Sequence, residues 1–135
     1  MPHVIVQHTV EVVEKFPERG MMYEALTEKL FAVAAAHLSV PERQLTSKDF
    51  SIMFLEAGPW DTLMQDIQVI IFAHADEVRV ARLDELAEAI SVGCEEAIIY
   101  SHPRYGEEPE EVSFSVLLHL GQVGYFRGAE TIGMP

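Results

Sequence analysis

The chain reads as an α+β domain of the two-layer sandwich kind, with tandem β-α-β repeats giving a four-stranded sheet and two helices on one face. Three observations predict this. Apolar segments alternate between a strand period and a helix period in the order β-α-β, then β-α-β. Corresponding elements of the two halves lie roughly 60 residues apart, an offset that marks an internal structural repeat. Each half also holds one helical segment, enough to cover one face of two strands and leave the other bare. Residues 1–135 therefore form one domain, with pseudo-repeats at about 2–62 and 63–121 and a tail at 122–135.

The elements follow in order. Residues 3–10, HVIVQHTV, are rich in β-branched residues and predict the first strand. Glu11 to Gly20 reads as a polar connection. Residues 21–38 predict a helix, with Met22, Leu26, Leu30, Val33 and His37 recurring at three- and four-residue steps and Ser39 and Pro41 ending it. Residues 49–55, DFSIMFL, predict the second strand, followed by a turn at Ala57–Asp61. Residues 66–74, DIQVIIFAH, predict the third, and its near-continuous apolar run predicts burial on both faces. Residues 79–100 predict the second helix, with Val80, Leu83, Leu86, Ala87, Ile90, Cys94 and Ala97 on one side. An acidic loop at Glu107–Glu111 leads to a fourth strand at 112–120. The glycine-containing tail predicts turns and a short strand near Val123–Phe126. Phe50, Ile52 and Phe54, with Ile67, Val69 and Ile71, belong to strands apolar on both sides, so the uncovered sheet face predicts an oligomer.

Composition narrows the function. The chain is 49% hydrophobic, with 22 acidic against 9 basic residues and a formal net charge of -13. Phosphate contacts need a basic surface, so no nucleic-acid partner is expected, and no anionic membrane surface. An acidic small substrate requires a local basic pocket. One cysteine, Cys94, allows neither an intrachain disulfide nor a zinc motif; no metal or cofactor is expected. With no charged segment leading an apolar run at the start, and no membrane-length apolar stretch, a cytoplasmic protein is expected.

The opening Met1-Pro2-His3-Val4-Ile5-Val6 carries the candidate chemistry. Trimming of Met1 leaves Pro2 as a free secondary amine. An α-amino group titrates near about pH 8, and burial against apolar neighbours draws that value toward neutrality. A base poised near the working pH is what acid–base catalysis uses.

A proline after Met1, a strand starting at once and two β-α-β halves together resemble the tautomerase superfamily. Pro2-His3-Val4-Ile5-Val6 looks most like the 5-carboxymethyl-2-hydroxymuconate isomerase family, and the helix end His37-Leu38-Ser39-Val40-Pro41 and Ser113-Phe114 opening the last strand match its style. The resemblance spans essentially the whole chain in pattern and implies a homotrimer with inward-facing sheets and Pro2 as catalytic base. It also implies proton transfer on a small unsaturated oxo-acid of the sort met in aromatic degradation, the substrate carboxylate being held by arginines. Arg79 sits where the family has one of these. Where the family has the other, the nearest residues are Thr46 and Lys48, with Arg43 a few positions earlier; lysine is not the equal of an arginine fork. Trp60 follows the second strand, where related tautomerases often keep an aromatic residue near the proline. The superfamily also contains hydrolytic and dehalogenating members.

The remaining candidates are weaker. His3, His8, His74 and His119 lie on strands with no second ligand at fixed spacing and read as structural groups. Cys94 reads as a packed residue. Arg127 in the tail is a candidate for a neighbouring subunit's pocket. Two other functions fit the same pattern: a tautomerase fold that has lost activity and serves as a scaffold, and a ferredoxin-like oligomeric ligand-binding module, which has no use for a free Pro2.

Overall fold

The computed structural model describes residues 2–16, 20–41, 44–101 and 112–121. The chain forms β1 (His3–His8), α1 (Val10–Glu14), α2 (Met21–Leu38), a 3₁₀ turn (Ser47–Asp49), β2 (Ser51–Glu56), β3 (Ile67–His74), α3 (Glu77–Ala81), α4 (Leu83–Ser101) and β4 (Phe114–Gly121). The sheet order is β2-β1-β3-β4, with β1 parallel to β2, antiparallel to β3, and β3 parallel to β4. The helices pack on one face, as the sequence pattern predicts.

β1 alternates as period 2 requires: Val4, Val6 and His8 are buried, and His3, Ile5 and Gln7 face the other way. The strand is two residues shorter than expected. The Thr9 amide donates to Asp66 O, and the Thr9 hydroxyl accepts from the Val12 amide at 3.2 Å, so Thr9 caps a helix instead of continuing the ladder. What reads as a polar connection therefore contains α1, which buries Val12 and Val13, with Phe16 buried just beyond it.

α2 occupies the predicted span. Its buried stripe runs Met22, Leu26, Leu30, Ala34, Leu38, a strict four-residue step, rather than turning through Val33 and His37. Val33 instead faces α4, at a crossing where a Cβ placed on Gly93 would meet Val33 Cγ2 at 2.6 Å. Ser39 ends α2: its hydroxyl donates to Ala35 O at 2.6 Å and accepts the Leu45 amide at 2.9 Å.

The second helical segment is broken in two. Asp76 caps α3 by accepting the amides of Val78 and Arg79, which starts the helix two residues early. At Arg82 the backbone leaves helical values (φ -116°, ψ 19°), and α4 begins anew. Leu86, Ile90, Cys94 and Ala97 stay buried, but Val80 and Leu83 fall off the stripe and are exposed.

β3 corrects a further expectation. Ile67, Val69, Ile71 and Ala73 are buried, while Gln68 and Ile70 are half-buried and Phe72 and His74 exposed, so in this chain the strand is covered on one face only. The other face carries the register row Met53–Ile5–Ile70–Leu117, flanked by Ser51–His3–Phe72–His119 and Leu55–Gln7–Gln68–Ser115. Met53 and Leu117 are more than half exposed on it. Arg43, the acidic loop, Arg127 and the short strand near Val123–Phe126 lie outside the described residues.

The α2–α4 seam yields two predictions. Gly93→Ala forces its methyl onto a β-branched side chain with little rotameric freedom, so the variant loses about 1–2 kcal/mol despite the better helix propensity of alanine. In a Val33→Ala background most of that penalty disappears; chemical denaturation of the four proteins measures the coupling. Cys94 is fully buried beside Gly93, and desolvation pushes its thiol up from 9.0 to about 12. Below pH 9 both states are protonated there. Above it the unfolded state ionises and the folded state does not, so the unfolded state binds fewer protons. Stability then falls by up to about 1.4 kcal/mol per pH unit between pH 9 and 12. Cys94→Ala, compared by denaturation at pH 8 and pH 10.5, should show the smaller alkaline loss.

Candidate active site

Pro2 is buried at the entrance to the central strand. Its carbonyl accepts the Ser51 amide at 3.2 Å, and the Ser51 hydroxyl lies 2.5 Å from His3 Nδ1. Ser51 thus grips residues 2 and 3 together. On the other side, His3 pairs with Phe72, so one step back along the antiparallel register puts Pro2 beside Ala73, at the end of β3.

Arg79 comes to the same end. It is buried, 6% exposed, and its guanidinium donates from Nε to Leu38 O at 2.9 Å and from Nη1 to His74 O at 3.0 Å. His74 is the residue next to Ala73, so the guanidinium is bonded to the same end of β3 that the register sets beside Pro2. Lys48 is also at this end, exposed on the 3₁₀ turn three residues ahead of Ser51. Thr46 fixes that turn: its amide donates to Asp49 Oδ2 at 2.7 Å. Beyond β3, Ala75, Val80 and Ala81 wall a hollow of about 430 Å³, with Asp76 and Glu77 at its rim.

Trp60 is not brought to this group. It is 94% exposed in the turn after β2, and Glu56 at the end of β2 pairs with His8 at the end of β1. At about 3.3 Å per residue, the length of β1 separates Trp60 from Pro2 of its own chain. Ser51 is the residue that sequence reasoning misses. Its signal, a hydroxyl at the first position of a strand, means nothing until the β1–β2 register is known.

His8 and His119 have partners within the fold. His8 is fully buried; Thr9 O can only accept, so Nδ1 donates to it at 2.9 Å, and Nε2 accepts the Tyr23 hydroxyl at 3.0 Å. His119 stands edge-on to Phe72, with ring centroids 5.6 Å apart. Among the described residues no group of three or more His, Cys, Asp or Glu side chains is arranged to hold a metal ion. No helix among them is long and apolar enough to cross a membrane.

No family model matches the sequence, and no curated protein matches it. Solved structures do. A malonate semialdehyde decarboxylase inhibited by 3-bromopropiolate superposes with a TM-score of 0.55 at 13% identity, covering 93% of this chain and 90% of the other. A fused 4-OT described as a symmetric trimer gives 0.53 at 14%, covering 93% of both chains. A 5-carboxymethyl-2-hydroxymuconate delta-isomerase gives 0.53 at 10%, covering 98% of this chain and 89% of the other. The chain has the tautomerase fold. At these identities the likeness concerns the fold alone, and proteins of that fold named here include a decarboxylase as well as an isomerase.

Proposed function

We propose that the chain is a cofactor-free keto–enol tautomerase or isomerase of a small unsaturated oxo-acid, working in the cytoplasm with Pro2 as general base once Met1 is removed. The observation that supports this best is the burial of Pro2 at the start of the central strand, its carbonyl held by Ser51. In this reading the free proline nitrogen takes the hydroxyl proton of the enol. The electron pair moves into the carbonyl, and the resulting ammonium returns the proton to carbon. Aromatic degradation is a natural setting for such an acid.

The anionic end of the substrate needs a cation, since stabilising developing charge is usually the largest catalytic term. Lys48, exposed at the Pro2 end, supplies it as a point charge, and Arg43 is a second candidate. Arg79 adds its charge from behind the strand end. The assembly in this reading is a homotrimer, its open sheet faces turned inward over the row Met53–Ile5–Ile70–Leu117. The trimeric state of the fused 4-OT neighbour supports it. Trp60 then serves the site of a neighbouring copy, since its own Pro2 is out of reach.

Pro2→Ala keeps a free amine but makes it primary, and it removes only two carbons of a buried ring. The variant should fold, remain trimeric by light scattering, and ketonise phenylenolpyruvate or 2-hydroxymuconate at least 10-fold more slowly than the wild type, a loss typical of removing a general base. Intact mass must show Met1 absent from both proteins. Equal turnover in the two removes Pro2 from the mechanism. A retained Met1, or a stable monomer without activity, favours the scaffold or ligand-binding alternative.

A further inference from the structure

We infer that Arg79 is a positioning residue for the Pro2 site and not the ligand of the substrate's carboxylate. The inference rests on the proposed function and changes the role of one residue within it.

Arg79 joins the two backbone segments that flank Pro2. One is the C-terminal end of α2. Leu38 is the last residue of that helix, its carbonyl is among those a helix leaves unpaired, and the helix end carries partial negative charge. Arg79 Nε donates to this carbonyl. From Leu38 the chain passes Ser39, whose hydroxyl receives the Leu45 amide, enters the 3₁₀ turn that carries Lys48, and reaches Ser51, whose amide holds Pro2 O. The second segment is the end of β3. Nη1 donates to His74 O, one residue beyond Ala73, the register neighbour of Pro2. The guanidinium is a rigid planar fork, so its two bonds fix the end of α2 against the end of β3. The Asp76 cap fixes Arg79 itself, because Oδ1 accepts the Val78 amide at 2.8 Å and the Arg79 amide at 3.4 Å.

The role of direct anchor fits these facts poorly. A side chain 6% exposed would have to leave the Leu38 carbonyl, in a buried hydrogen bond, and that of His74, in a half-buried one. Abandoning them leaves the buried Leu38 carbonyl without this donor as well as moving a buried charge. Lys48 is already in the open at the same end.

The test uses the full chain, as wild type, Arg79→Ala and Arg79→Lys, with Lys48→Ala as contrast. Two readouts are taken: steady-state kinetics with phenylenolpyruvate, and the rate at which 3-bromopyruvate alkylates the Pro2 nitrogen at one fixed pH, followed by intact mass. The buried Cys94 does not compete for that reagent in the folded protein. A positioning role predicts that Arg79→Ala lowers kcat at least 10-fold with KM within 2-fold of wild type, and slows alkylation of Pro2. Arg79→Lys should rescue little, since one ammonium cannot replace the fork, while Lys48→Ala should raise KM. The proposal is overturned if Arg79→Ala raises KM 10-fold or more at unchanged kcat, or if it changes neither readout. Loss of the thermal transition in both Arg79 variants also overturns it, by reassigning the residue to the fold. If wild type does not turn over phenylenolpyruvate, the proposed function fails on that substrate. Slowed alkylation in the Arg79 variants then still upholds the positioning role, and unchanged alkylation overturns it.

Discussion

The first residues of this chain form the middle of its sheet, and the rest of the structure depends on that placement. Chain termini usually fray because little holds them. Here β1 is paired on both sides, in register from His3 to His8, with β2 in parallel and with β3 in antiparallel. Pro2 shares this order: its carbonyl accepts from the Ser51 amide. Its ring is buried, which on a free terminus would be unusual. Under the proposed function, this placement supplies what a catalytic base requires, a fixed position and an apolar surrounding, without a dedicated loop to hold it.

The same arrangement explains why the sheet is unequal on its two faces. Parallel β-α-β crossovers are overwhelmingly right-handed, and two such units joined side by side place both helices over one face. That face encloses the core, from Val4 and Val6 through Ile71 to Leu30 and Ile90. The seam between α2 and α4 is tight enough that Gly93 has no room for a methyl group against Val33. The far end of the sheet is fastened separately. Asp66 and Ser113 exchange two hydrogen bonds of 3.0 Å, each from one residue's amide to the other's side chain, while Asp66 O receives Thr9. Pro2 and this fastening therefore lie at opposite ends of β1. Among the described residues no helix packs on the open face, which is apolar in its central row and leaves Met53 and Leu117 more than half exposed.

What was legible in the sequence was what depends on near neighbours. Val4, Val6 and His8 report a strand by alternation, and Met22, Leu26 and Leu30 report a helix by spacing. The Pro2 opening stands out because its chemistry exists only at a chain start. What was not legible depends on a single capping oxygen or on register. Thr9 and Asp76 decide where α1 and α3 begin, yet each is an ordinary strand-end residue until its side chain is seen to accept amide hydrogens. The break at Arg82 interrupts an apolar pattern that is otherwise continuous. Arg79 is recognisable in the sequence as a candidate cation, but the backbone carbonyls it bonds, at Leu38 and His74, are encoded by no side-chain pattern. Trp60 lies away from Pro2 of its own chain for a related reason: following the second strand in sequence means lying at the far end of a strand that runs parallel to β1.

The central claim is that Pro2 is a free amine whose basicity the fold has tuned toward neutrality. The most direct measurement is an NMR titration of protein labelled with ¹⁵N-proline, following the N-terminal proline nitrogen through the physiological range. The account predicts a titrating secondary amine with an apparent pKa below about 8, the ordinary value for an α-amino group. A Pro2 nitrogen that does not titrate, because it remains an amide behind Met1, would contradict it, as would one that titrates at or above that ordinary value.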